Sequence, residues 1–185
     1  MSGAFSARQP APEIAKGRLH MEQAGKLKPL QNRQDHECFA CGPRNAHGLQ
    51  MTFFTDERSV FSWLTVPEHL RGWDNLVHGG VLSAILDEIM SWAAIYLIKK
   101  ITLTKEMTVE FLKPVTVGSR LKAEGRLVEH VGQRDARLEG LIYNERGALC
   151  ARSSGLFVML EPRIAKRLGV LGDVAIRDFE RIIAM

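Results

Sequence analysis

The residues best placed to do chemistry stand in one stretch, Asn75-Leu76-Val77-His78-Gly79-Gly80-Val81-Leu82-Ser83-Ala84-Ile85-Leu86-Asp87-Glu88-Ile89-Met90. Gly79 and Gly80 offer bare backbone N–H groups at the start of a helix, where partial positive charge gathers and an anion is stabilised. Asp87 and Glu88 follow two turns later, in a run so apolar that a carboxylate is costly unless it is paired or functional. Donors at a helix mouth and an acid farther along are the equipment of acyl transfer. The N–H groups hold the charge that grows on a carbonyl oxygen, and the carboxylate acts as base or nucleophile. On a helical wheel Asp87 shares a face with Gly80, Ser83, Ala84, Ser91 and Ala94, all small, which leaves room for a ligand or a partner helix. Glu88 points about 100° away. It is expected to be a structural charge paired across a sheet, with only a reserve claim on catalysis. Elsewhere, Cys38-x-x-Cys41 between His36 and His47 has the ligand types of a zinc site. One cysteine pair with loosely spaced histidines is a weak pattern, so the segment is read as a compact turn packed on the body, with no metal expected.

The elements that must position these groups can be read in order. The helix should run from the glycine turn to about Lys99 and, being apolar on nearly every side, should be buried. Before it, Gln50–Thr55 and Ser59–Val66 read as a hairpin around Asp56-Glu57-Arg58, and Pro67–Val77 is a loop carrying Trp73, Asp74 and Asn75. After it come four strand-like runs, Leu103–Leu112, Arg120–Val131, Asp135–Tyr143 and Leu149–Leu160, separated by short Gly, Pro and Asn turns. Short turns favour antiparallel pairing. Two strands, one long helix and four strands predict an α+β domain in which an antiparallel sheet wraps one central helix. Residues 1–35 read as an arm with a short helix around Ala11–Ala24, residues 36–160 as the domain, and residues 161–185 as an appendage. In the appendage Asp173 caps a helix bearing Val174, Ile176, Phe179, Ile182 and Ile183.

Composition narrows the function classes. The 185 residues are enough for a substantial core, and the apolar and charged fractions of 45% and 25% are ordinary for a globular chain. A net charge of +4, spread along the sequence, does not argue for nucleic acid and suits a small anionic ligand. The longest apolar run is interrupted by Asp87 and Glu88, so no membrane span is expected. An N-terminus without an apolar core and an odd count of three cysteines lead to the expectation of a cytoplasmic, reducing location.

His78-Gly79-Gly80 with Asp87 nine residues past the histidine resembles the helix motif of the hotdog-fold acyl-CoA thioesterases of the phenylacetate-degradation (PaaI-like) type, in the 4-hydroxybenzoyl-CoA thioesterase superfamily. Two more landmarks fit. Thr104 stands ten residues before Pro114, where that family often carries Ser or Thr. The leader Cys38-Phe39-Ala40-Cys41-Gly42-Pro43-x-Asn45-x-x-Gly48-Leu49 is found in one branch of it. The likeness spans about Cys38 to Leu160, without the tails. It implies that Asp87 is the base or nucleophile, that Gly79 or Gly80 is the oxyanion donor, and that Thr104 orients the water or holds Asp87. His78 shapes the turn and has a lesser claim as a base. Some relatives carry Asn six residues before the histidine; that position is Gly72 here, and Asn75 is the nearby candidate for the contact. The likeness also points to the Gly132-Gln133-Arg134 turn and to Arg152 for the phosphates of coenzyme A, with Lys113 a weaker option. It implies a homodimer or a dimer of dimers, with the helix mouth of one subunit meeting the carboxylate of the other.

The leading expectation is therefore hydrolysis of an acyl-CoA thioester without a cofactor, the acyl group left open. The competing class is a non-catalytic hotdog that binds acyl-CoA as sensor or carrier; it needs the tunnel but not Asp87. An enoyl-CoA hydratase is a third reading, and the acid and histidine motif of that branch is not found.

Overall fold

A computed structural model describes residues 27–184; the helix expected around Ala11–Ala24 lies outside them. The strands are β1 (Lys28–Leu30), β2 (Phe53–Thr55), β3 (Ser59–Thr65), β4 (Ile101–Phe111), β5 (Arg120–Val131), β6 (Asp135–Asn144) and β7 (Leu149–Leu160). The helices are α1 (Gly79–Ala93), prolonged by a π turn over Ala94–Ile98, then α2 (Pro162–Arg167) and α3 (Asp173–Ile183). All seven strands form one antiparallel sheet in the order β1-β2-β3-β5-β6-β7-β4. The class is α+β, with α1 and its extension lying against the sheet.

A helix can approach a sheet this closely only where the sheet lacks side chains. Gly125 on β5 and Gly140 on β6 are direct cross-strand partners, and Gly155 lies on the next strand, β7. A Cβ on Gly125 would fall 2.4 Å from the Ile89 carbonyl oxygen, and one on Gly140 would fall 3.1 Å from Leu86 Cδ2. Glycine here gives room for the helix backbone. Ile85, Leu86, Ile89, Met90, Ala93 and Ala94 are wholly buried on this bed. The expectation that α1 is covered on every side fails along one strip: Ser83, Ala84, Asp87 and Ser91 are half-buried. The helix ends at Lys99, whose left-handed φ of 61° and N–H bond to Ile95 O close the last turn. With its π turn, Gly79–Ile98 is one continuous helix long and apolar enough to cross a membrane by length and composition, with Asp87 and Glu88 inside it. Its apolar residues are engaged with the sheet.

The hairpin and the four later strands stand where the sequence placed them, within a few residues at the ends. Two elements are additional. Lys28–Leu30, inside the stretch read as an arm, pairs with β2, and Pro162–Arg167 opens a short helix with proline in its first turn. Asp173 does not cap α3: Gly172 is the N-cap and Asp173 lies in the first turn, ion-paired with Lys166. Phe179 of α3 is buried with Ile101 and Ala165, so the terminal helix packs on the body. Arg33 Nε reaches Asp178 Oδ2 at 3.0 Å, tying the segment after β1 to that helix.

Candidate functional site

The loop before α1 is held from both sides. Gly72 N–H donates to Leu76 O, His78 N–H to Leu70 O, and Val77 N–H to Val115 O. His78 is then the N-cap, and its Nδ1 accepts the Gly80 N–H at 3.0 Å. That bond requires the proton of a neutral ring to sit on Nε2, which faces outward as a donor. One of the two glycine amides is thus taken by the cap. Among the described residues the other, Gly79 N–H, has no acceptor. It opens beside a cleft of about 280 Å³ lined by Val77, Leu82, Phe111 and Pro114, with Lys113 at the edge. A Cβ on Gly79 would lie 3.5 Å from the Phe111 ring. Phe111, half-exposed at the end of β4, is a site residue that sequence reasoning missed; its signal was its place on the strand that carries Thr104.

Asp87 lies on the uncovered strip of α1. Its Oδ1 accepts a 2.6 Å hydrogen bond from Thr104 Oγ1 on β4. No cation pairs with it among the described residues. A bulge at Lys105 follows Thr104, as the β4–β7 register slips between Thr104 and Glu106. Asp87 and Thr104 are therefore brought together, whereas the glycine amides are not brought to them. Gly79 and Asp87 stand eight positions apart on the helix, a rise of about 12 Å. Within one chain the two cannot grip the same carbonyl.

The remaining candidates divide between the two ends of this stretch. Gly132, at φ 65°, and Arg134 form the β5–β6 turn, where Arg134 O accepts the Met159 N–H close to the Thr104 end of β7. Arg152 is exposed on β7 opposite Glu110 of β4 and bonds it at 2.8 Å, near the helix mouth. Asn75 is exposed, and its carbonyl fixes Val117 N–H. Gly72 packs against the cap, so a Cβ there would come within 3.1 Å of His78 Cα.

A second group of reactive side chains assembles behind the helix. Glu88 is not paired across the sheet: its Oε1 accepts from Trp92 Nε1 at 3.1 Å, and Trp92 in turn stacks on Phe53 with centroids 4.3 Å apart. The Cys38 and Cys41 sulfurs and a Glu88 oxygen all lie within 4.8 Å of one another. Burial, with the nearby Cys38 charge, pushes the Glu88 carboxyl up to about 7. The Cys41 thiol, donating to Cys38, and the Ala40 and Cys41 backbone amides lower the Cys38 thiol. The same sharing, with burial, raises Cys41. Sequence spacing could not bring Glu88 to a cysteine pair some fifty residues earlier; only the packing of the leader onto α1 does so.

Comparison with known proteins gives the fold its name. Residues 74–151 match the family model of the Thioesterase superfamily. No curated protein matches the sequence. Among solved structures, a thioesterase superfamily protein is similar with a TM-score of 0.62 at 23% identity, over 76% of this chain and 73% of that one. The Escherichia coli PaaI protein of the phenylacetic acid degradation operon is similar with a TM-score of 0.55 at 19% identity, over 61% and 81%. A Streptococcus mutans protein bound to acetyl CoA gives 0.55 at 19%, over 60% and 88%. The fold is the hotdog.

Proposed function

We propose that this protein is an acyl-CoA thioesterase, that it hydrolyses a thioester to a free acid and coenzyme A, and that each of its sites is built by two chains. The observation that carries this reading is the Asp87 carboxylate, held by one hydroxyl and free of any cation among the described residues, on the one uncovered strip of an otherwise buried helix. A carboxylate kept only for structure would be expected to carry an ion pair or more donors.

The 12 Å between Gly79 and Asp87 argues for the second chain. If two copies pack with α1 helices antiparallel across a two-fold axis, the mouth of one meets the Asp87 of the other, and two equivalent sites arise. Small residues along the strip permit close approach, and β4 beside it is an edge strand with exposed Leu103 and Phe111, followed by exposed Leu112. In that arrangement a Gly79 N–H receives the negative charge on the thioester oxygen, a contribution of about 3 kcal/mol for one such donor. Asp87 removes a proton from the attacking water, or itself attacks the carbonyl carbon to give an acyl anhydride that water then opens. In both routes the C–S bond breaks and the thiolate of coenzyme A leaves. Arg134 of one chain and Arg152 of the other would flank the same mouth, within reach of the ligand's phosphates. The likeness to a protein bound to acetyl CoA supports the ligand class, and the His78-Gly79-Gly80…Asp87 and Thr104…Pro114 spacings support the phenylacetate-type branch.

The test is a panel of aromatic, short and long acyl-CoA substrates with a thiol-detecting reagent, on the wild type and Asp87→Ala. Turnover by the wild type alone supports the reading. Equal turnover by both overturns the role of Asp87, and tight binding without turnover by the wild type identifies a carrier instead.

A further inference from the structure

The Cys38–Cys41–Glu88 group takes no part in the proposed hydrolysis. It lies about 100° around α1 from Asp87, and no reacting atom is required there. We infer that it is a zinc site, which clamps the leader segment onto the central helix.

The ligand set comes first. Two soft thiolates and one hard carboxylate oxygen are a mixed set that the borderline zinc ion accepts and that does not suit calcium or magnesium, which take oxygen alone. Their spacing comes second. Zinc–sulfur and zinc–oxygen bonds of about 2.3 and 2.0–2.2 Å in a tetrahedron place ligand atoms about 3.5–3.8 Å apart. The three atoms already lie within 4.8 Å of one another, so small side-chain rotations close the site.

The framework comes third. The Cys-x-x-Cys turn is fixed by the Gly42 N–H on Cys38 O at 2.9 Å, and only glycine fits there, since a Cβ would fall 2.4 Å from Cys38 N. The Leu49 and Met51 N–H groups bond Phe39 O and Ala40 O, and Asn32 Nδ2 bonds Cys41 O. On the helix side, Trp92 Nε1 orients the Glu88 carboxylate, the arrangement by which an outer partner aims a metal ligand. His36 is engaged with Asn32 through Nε2 and stands outside the group, so the fourth position falls to water. Binding releases the Cys41 proton and any held by Cys38 or Glu88.

The experiment reads metal directly and needs no activity, so its failure is distinct from failure of the hydrolase reading. The untagged full chain is dialysed with zinc, desalted and analysed by elemental mass spectrometry. The expected result is one zinc per chain for the wild type and for Cys150→Ser, and none for Cys38→Ser/Cys41→Ser. Glu88→Gln, which keeps the acceptor for Trp92, and Trp92→Phe, which removes its donor, should each weaken zinc at least tenfold. Cobalt(II) in the wild-type protein should give thiolate-to-metal charge-transfer absorption. That readout stands even where a cysteine variant does not fold. Less than one zinc per ten chains, a Cys38–Cys41 disulfide in protein purified without reductant, or undiminished zinc in the double variant would each overturn the proposal.

Discussion

Thr104 Oγ1 donates to Asp87 Oδ1 across 2.6 Å, joining the edge strand β4 to the middle of α1. The bond fixes the rotamer of the carboxylate and leaves its other oxygen for a reacting group. Asp87→Asn, which keeps the acceptor and removes the base, should lower kcat by about 10²–10⁴-fold with folding intact. Thr104→Val should lose about tenfold in kcat, a net neutral-to-charged hydrogen bond of about 1.5 kcal/mol, and Thr104→Ser should restore most of it. Steady-state kinetics on the best substrate of the panel, beside circular dichroism, checks both.

The cap formed by His78 is separable from catalysis. His78→Ala removes the ring that accepts Gly80 N–H, and loss of an N-cap costs about 0.5–2 kcal/mol. His78→Asn should recover most of that stability, because a side-chain carbonyl reaches the same amide. Urea unfolding measures the difference; equal midpoints for wild type and His78→Ala would show that the ring does not cap.

Two glycines should respond very differently to alanine. At Gly125 the added carbon meets the Ile89 carbonyl at 2.4 Å, helix backbone that cannot turn aside. Gly125→Ala should destabilise by about 3 kcal/mol or more. Gly132 has open space around it but a φ of 65°, so Gly132→Ala should cost only about 1 kcal/mol. A thermal melt of the two variants distinguishes them.

The three thiols should label in a fixed order in metal-stripped protein. Cys38 is half-exposed and its thiol is lowered by Cys41 and two amides, so it should alkylate first at neutral pH. Cys150 is wholly buried, and burial raises its thiol. It should remain unlabelled until the protein unfolds. Peptide mass spectrometry after a short iodoacetamide pulse gives the order, and zinc should protect Cys38 and Cys41 together.

What could be read from sequence was whatever local pattern determines. The long apolar run between Gly79 and Lys99 and the strands between short turns have strong periodicity, and five of the strands stand within two residues of their expected ends. β1 is three residues long and takes its identity from pairing with β2, which no local pattern announces. The site was half legible. His78, Gly79, Gly80 and Asp87 are linked by spacing along one helix, and Thr104 came from the resemblance to a family. Which amide the cap consumes, and that Glu88 turns toward Cys38 and Cys41, depends on side-chain packing between distant segments. Asp173 illustrates the reverse error: an acid near a helix start reads as a cap, but Gly172 takes the position and Asp173 finds Lys166.

The irregularity at Lys105 bears on what can pair with this edge of the sheet. A straight, apolar border eleven residues long invites one molecule after another to add its own strand, without end. Lys105 and Glu106 place opposite charges and a kink in the middle of that border, and Lys105 is already committed to Asp135. An edge interrupted in this way is a poor template for the open-ended addition of further strands.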